Sequence, residues 1–134
     1  MKRFFSLLFI IALFYTCNSE PAYPKAENSF DAAREFIDAC LKGQFERADA
    51  YMLKDKENEK HLNELRKDYA LKTKDNKEEY KEASIIVTDD ETLNDSTHII
   101  NYKNSYDKIA RKVKVIQANG TWLVDFKYTF NGNL

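Results

Sequence analysis

The sequence predicts an α+β fold, with N-terminal helices packed on an antiparallel β-sheet behind a cleaved signal peptide. Three observations carry that prediction. Lys2 and Arg3 precede a mainly apolar stretch that runs from Phe4 to Cys17. Between Ser29 and Leu71, apolar residues recur at helical spacing. From Tyr80 onward the period changes to two, and turn residues separate short runs rich in β-branched side chains. Helices followed by a meander of strands pack as two layers around one core.

Residues 1–16 form the signal: a basic start, an apolar stretch and a cleavage region. The stretch is shorter than the about 20 apolar residues a permanent transmembrane helix needs. Residues 17–28 read as an attachment point and a tether, because Pro21 and Pro24 favour an extended chain. Residues 29–134 are one domain. Its first helix begins at a cap supplied by Asn28 or Ser29, with Asp31 in the first turn. Phe30, Ala33, Phe36, Ile37, Cys40 and Leu41 share one face, and Gly43 ends the helix. A second helix spans Phe45 to Leu53, with Phe45, Ala48, Tyr51 and Met52 inward. Lys54–Lys60 reads as a polar connection and His61–Leu71 as a third helix, with Leu62, Leu65 and Tyr69 on one side. Lys72–Glu79 reads as a charged loop or frayed end.

Four strands follow. Ala83–Thr88 and Ser96–Tyr102 flank an acidic loop at Asp89–Asp95. Lys108–Gln117 alternates, with Ile109, Val113 and Val115 on one side. Lys108, Arg111, Lys112 and Lys114 read as its wet face. Asn119-Gly120 is a strong hairpin signal, because both residues tolerate positive φ. The last strand places Trp122, Val124, Phe126, Tyr128 and Phe130 on one face and sends Asp125 outward.

Composition excludes several functions. Residues 1–16 hold two basic residues and no acids, so their removal shifts the net charge from −1 to −3. A nucleic-acid binder carries a basic excess instead. Only Cys40 remains besides Cys17, which leaves no internal disulfide and makes Cys40 a buried, inert thiol. Two isolated histidines make no metal site, and no cofactor motif is present. Asp89–Asp95 lacks the glycine and final glutamate of a calcium loop.

Two stretches resemble known families. Leu13-Phe14-Tyr15-Thr16-Cys17 resembles a bacterial lipobox, with Phe14 and Thr16 where that signal commonly has Leu and a small residue. The resemblance implies that Cys17 becomes the lipidated N-terminus of an envelope lipoprotein. Asn18, in place of Asp, favours the outer over the inner membrane. Lys42-Gly43-Gln44-Phe45-Glu46-Arg47-Ala48 and Asn119-Gly120-Thr121-Trp122-Leu123-Val124-Asp125 are similar to the two ends of the nuclear-transport-factor-two-like superfamily. That likeness, over residues 29–128, implies a cone: a curved sheet wrapped around the first helix, with a pocket at its wide end. The chain also resembles small bacterial lipoproteins carrying an uncharacterised domain of this class.

The fold hosts enzymes, binding modules and scaffolds alike, so function must come from the site. Tyr51, Tyr69, Tyr102, Trp122, Phe126 and Tyr128 are the candidate ligand-binding residues, because aromatic walls with a few hydroxyls suit a small apolar ligand. His98 shares parity with Ile100 and Tyr102 and is the one candidate catalytic base; His61 reads as solvated. The leading expectation is a non-catalytic, membrane-anchored lipoprotein that binds a small apolar ligand or an envelope protein. An isomerase or dehydratase using His98 and a tyrosine is one alternative. A homodimer pairing through an outer sheet face that exposes Ile99 and Leu123 is another.

Overall fold

The computed structural model describes residues 22–131. The signal, Cys17 and the first residues of the tether, up to Pro21, lie outside the described residues. Four helices come first: α1 (Ser29–Leu41), α2 (Phe45–Ala50), α3 (Lys56–Ala70) and α4 (Lys74–Glu82). Four strands follow, β1 (Ile85–Asn94), β2 (Thr97–Asn104), β3 (Arg111–Ala118) and β4 (Thr121–Asp125), and a 3-10 helix spans Phe126–Phe130. The strands form an antiparallel meander in the order β1-β2-β3-β4. This is the α+β fold that the change of period predicts.

Side-chain caps set where the helices start. Asn28 Oδ1 accepts from the Asp31 N–H at 2.9 Å, and Thr73 Oγ1 accepts from the Asn76 N–H at 3.2 Å. Asp55 Oδ1 accepts from the N–H groups of Glu57 and Asn58, so α3 begins at Lys56 rather than His61. The charged stretch Lys54–Lys60 is therefore mostly helix, because Asp55 satisfies donors the chain would otherwise leave open. Lys72–Glu79 is likewise largely the capped helix α4. α2 is shorter than expected, yet Phe45, Ala48, Tyr51 and Met52 are all buried as their spacing requires.

α1 lies across the inner face of the sheet. Ala32, Ala33, Phe36 and Ile37 pack with Ile100, Val113, Val115, Val124 and Phe126. Phe36 and Phe126 meet edge to face at 4.9 Å. Phe30 departs from the expected stripe: it is exposed, in a shallow cleft it shares with Ile85 and Val87 of β1. Tyr23 and Ala26, in the stretch read as tether, pack against this core. The Tyr51 hydroxyl donates to Pro24 O at 2.8 Å. Every described element except α4 thus contributes to one core.

The sheet corrects several strand limits. β1 runs through the acidic stretch to Asn94, with register shifts at Val87/Asp89 and Thr92/Asn94, and the turn is only Asp95-Ser96. The Asn119-Gly120 turn forms as its chemistry demands, with φ of 50° and 73°. β3 starts at Arg111, because Lys108 takes a φ of 57° and breaks the run. Ile109 is consequently exposed rather than aligned with Val113 and Val115. Ile99, expected on an exposed dimerisation face, is 2% exposed: its own chain already covers it.

The last strand ends at Asp125, and Phe126–Phe130 turns into the 3-10 helix. Two bonds hold that turn: the Lys127 N–H donates to Asn58 Oδ1 at 2.6 Å, and Thr129 Oγ1 donates to Lys112 O at 2.7 Å. Asp125 lies on the face opposite Val124, as alternation predicts, but it is buried rather than wet. Asn58 Nδ2 donates to it at 3.1 Å, and Lys127 Nζ pairs with it at 2.8 Å. Lys114 Nζ approaches its second oxygen at 3.5 Å.

Candidate functional site

The helices do not fill the space at the C-terminal end of α1. A cavity of about 350 Å³ remains there, at the small end of the roughly 300–1,000 Å³ range of ligand sites. α1 contributes Phe36, Ile37, Cys40 and Leu41; α3 contributes Leu65, Asp68 and Tyr69. Lys72 and Tyr80 close one side, and Tyr102, Asn104, Ile109 and Arg111 form the sheet side. Phe126, Thr129 and Phe130 of the 3-10 helix complete the wall.

Local chemistry fixes each of these side chains. Asn104 is buried, and its Oδ1 accepts from the N–H groups of Tyr106 and Asp107 at 3.0 and 2.9 Å. This turn places Asp107 against Arg111, which grips it with both terminal nitrogens at 3.0 and 2.7 Å. Partial burial works to raise the Asp107 carboxyl, but the Arg111 guanidinium, the Ile109 N–H and Asn104 outweigh it and hold it at about 2. The pairing to Asp107 in turn raises Arg111. The Lys72 ammonium lies 4.7 Å from the centre of the Tyr80 ring, and Tyr80 meets Tyr106 edge to face at 4.8 Å. Tyr69 packs edge to face on Phe45 at 5.6 Å. Burial pushes the Cys40 thiol up to about 12, so it is protonated and unreactive, as its place in the α1 stripe implies. Burial also pushes the Tyr102 hydroxyl well up, which keeps it a neutral phenol.

The six candidate ligand residues do not share one site. Tyr69, Tyr102 and Phe126 line this cavity. Tyr51 and Trp122 line a separate cleft at the other end of α1, beneath Tyr23, Pro24 and Ala26. That cleft borders Ala22, where the described chain begins, and the Tyr51 hydroxyl is already bonded to Pro24. Tyr128 lines neither; it sits 5.8 Å from the Lys114 ammonium. The alternation that grouped it with Phe126 fails once the strand ends.

His98 does share the inner face with Ile100, but it lies beyond the helices. Its Nδ1 is 3.0 Å from Asp90 Oδ1, and its ring meets Trp122 edge to face at 5.5 Å. Tyr102 lies four residues farther along β2, about 13 Å away, and His98 does not line the cavity. His61 is not solvated as expected: it stacks on Phe130 at 4.2 Å, with 16% of its side chain exposed.

Sequence reasoning missed Tyr80, Asn104 and Arg111. Tyr80 falls in α4, where the sequence reading has the two-residue period begin. Arg111 was grouped with the wet lysines, although its parity with Val113 and Val115 turns it inward, opposite Tyr102. Among the described residues no cluster of His, Cys, Asp or Glu could hold a metal, and no helix is long and apolar enough to cross a membrane. No known protein family matches the chain, and no curated protein is significantly similar to it.

Proposed function

We propose that this protein is a lipid-anchored envelope lipoprotein whose domain binds a small, mainly apolar molecule without transforming it. The observation that carries the binding reading is the recessed cavity beside Tyr102, walled by aromatic and aliphatic side chains from α1, α3, the sheet and the 3-10 helix. Such a lining, with a few convergent polar groups, is the usual make-up of a small-molecule site. The anchoring reading rests on the basic start, the apolar stretch and Cys17. His98, the one candidate base, stands apart from the cavity, which favours binding over catalysis.

The test uses the chain from Asn18 onward, which contains every element of the core. N-Phenyl-1-naphthylamine, a neutral apolar dye, should brighten and shift to the blue on binding. Leu65→Trp, which fills the cavity from α3, should abolish that signal, whereas Trp122→Phe in the other cleft should leave it in place. Dye binding that survives Leu65→Trp would refute the assignment. For the anchor, Cys17→Ala in the full chain should release the protein from membranes; a variant that still sediments with them would refute it.

A further inference from the structure

The cavity holds a buried hydroxyl that the protein leaves unused. Tyr102 is 7% exposed and lines the cavity, yet its hydroxyl makes no hydrogen bond to any described residue. No fully enclosed polar atom among the described residues lacks a partner, so this hydroxyl opens onto the cavity space. Buried tyrosines ordinarily find a partner for their oxygen. Nearby, Asn104 Oδ1 accepts from two backbone N–H groups, Arg111 pairs with Asp107, and the Thr129 hydroxyl donates to Lys112 O. The unpaired hydroxyl is therefore open to a space walled mainly by apolar side chains.

The charges around the cavity also balance. Asp68 and Lys72 line it from the end of α3 and just beyond, Arg111 from the sheet, and Asp107 neutralises Arg111 directly. An anion entering here would lie beside two carboxylates and lose its hydration. A cation would meet Arg111 and Lys72. A phenol is a better donor than acceptor, and burial keeps this one neutral.

We propose that the cavity takes a neutral, mainly apolar molecule bearing one hydrogen-bond acceptor, a carbonyl or ether oxygen, to which the Tyr102 hydroxyl donates. The proposal rests on the ligand-binding reading above and names the class of its ligand. Tyr102 acts here as a binding group that fixes orientation, and no bond is made or broken.

Two near-isosteric probes test it: benzophenone, and 1,1-diphenylethylene, in which a methylene replaces the carbonyl oxygen. Their affinities for the chain from Asn18 onward are measured by the shifts of the Asn104 and Arg111 backbone amides in nitrogen–proton spectra. The same titrations are run on Tyr102→Phe, which keeps the ring packing and breaks no internal hydrogen bond. The preference for benzophenone over the hydrocarbon should fall roughly 3- to 10-fold on losing the hydroxyl, the worth of one neutral hydrogen bond. Hydrocarbon binding should be unchanged or improved in the variant. An equal preference in both proteins would overturn the Tyr102 assignment while leaving the cavity reading intact. Diphenylacetate binding more tightly than benzophenone would overturn the neutral class. Failure of all three probes to bind would refute the cavity reading itself.

Discussion

Asn58 ties the start of α3 to the end of the sheet, and its removal should be the most damaging single truncation of a polar residue in the domain. The side chain is fully buried. Its Nδ2 donates to Leu53 O at 3.0 Å, to Asp55 Oδ2 at 3.0 Å and to Asp125 Oδ1 at 3.1 Å, while its Oδ1 accepts the Lys127 N–H. In Asn58→Ala the two carboxylates keep Lys127 Nζ at 2.6 and 2.8 Å. Leu53 O and the Lys127 N–H keep nothing. Two backbone groups left unpaired at about 1–2 kcal/mol each give a loss of about 3 kcal/mol. With a urea slope of about 1.5 kcal/mol per molar, the unfolding midpoint should fall by about 2 M. Trp122 fluorescence reports the transition. A fall under about 0.5 M, with the slope unchanged, would show that water replaces the side chain at little cost and would refute the reasoning. Asn58→Asp sharpens the test, because it keeps the shape but replaces the donor with a third carboxylate beside Asp55 and Asp125. That new acid would titrate higher in the folded than in the unfolded chain. Its penalty should therefore be fully present at neutral pH and shrink as pH falls through its folded pKa.

Two further predictions come from other parts of the domain. The Asp107 carboxyl sits at about 2 against an ordinary 3.8, so its pairing with Arg111 stabilises the fold above about pH 4 and is lost as pH falls toward 2. That loss is roughly 2 kcal/mol; Asp107→Asn should flatten this part of the acid limb in urea midpoints taken at pH 5 and pH 2, and an unchanged limb would sink the claim. Gly43 has a φ of +69°, and a Cβ there would lie 2.5 Å from the Tyr69 ring. Gly43→Ala should cost about 1–2 kcal/mol for the left-handed backbone plus the displacement of Tyr69 from Phe45. In a Tyr69→Ala background only the backbone part should remain, so equal costs in both backgrounds would count against the ring contact.

What the sequence revealed and what it hid follow from how far each cause reaches along the chain. The face of α1 is legible because Ala33, Phe36, Ile37 and Leu41 repeat within a few residues, and the last hairpin because Asn119 and Gly120 carry their own backbone preference. α3 and α4 were harder to see, because few of their residues are buried and charge hides the helical period. Asp55 and Thr73, read as caps, would have exposed both starts. The end of the sheet was not legible. Trp122, Val124, Phe126, Tyr128 and Phe130 alternate perfectly, yet the partner that ends the strand is Asn58, 69 residues away from Lys127. The cavity depends on that termination. Phe126, Thr129 and Phe130 wall it only because the chain leaves the sheet after Asp125 and coils back toward α3, where Phe130 stacks on His61. An uninterrupted strand would carry Phe130 along the sheet and away from α3, leaving that side of the cavity open. Asn58 is thus a positioning residue for a site it does not touch. The same truncation that lowers stability should also open the cavity wall, weakening dye binding at urea concentrations where the domain is still folded.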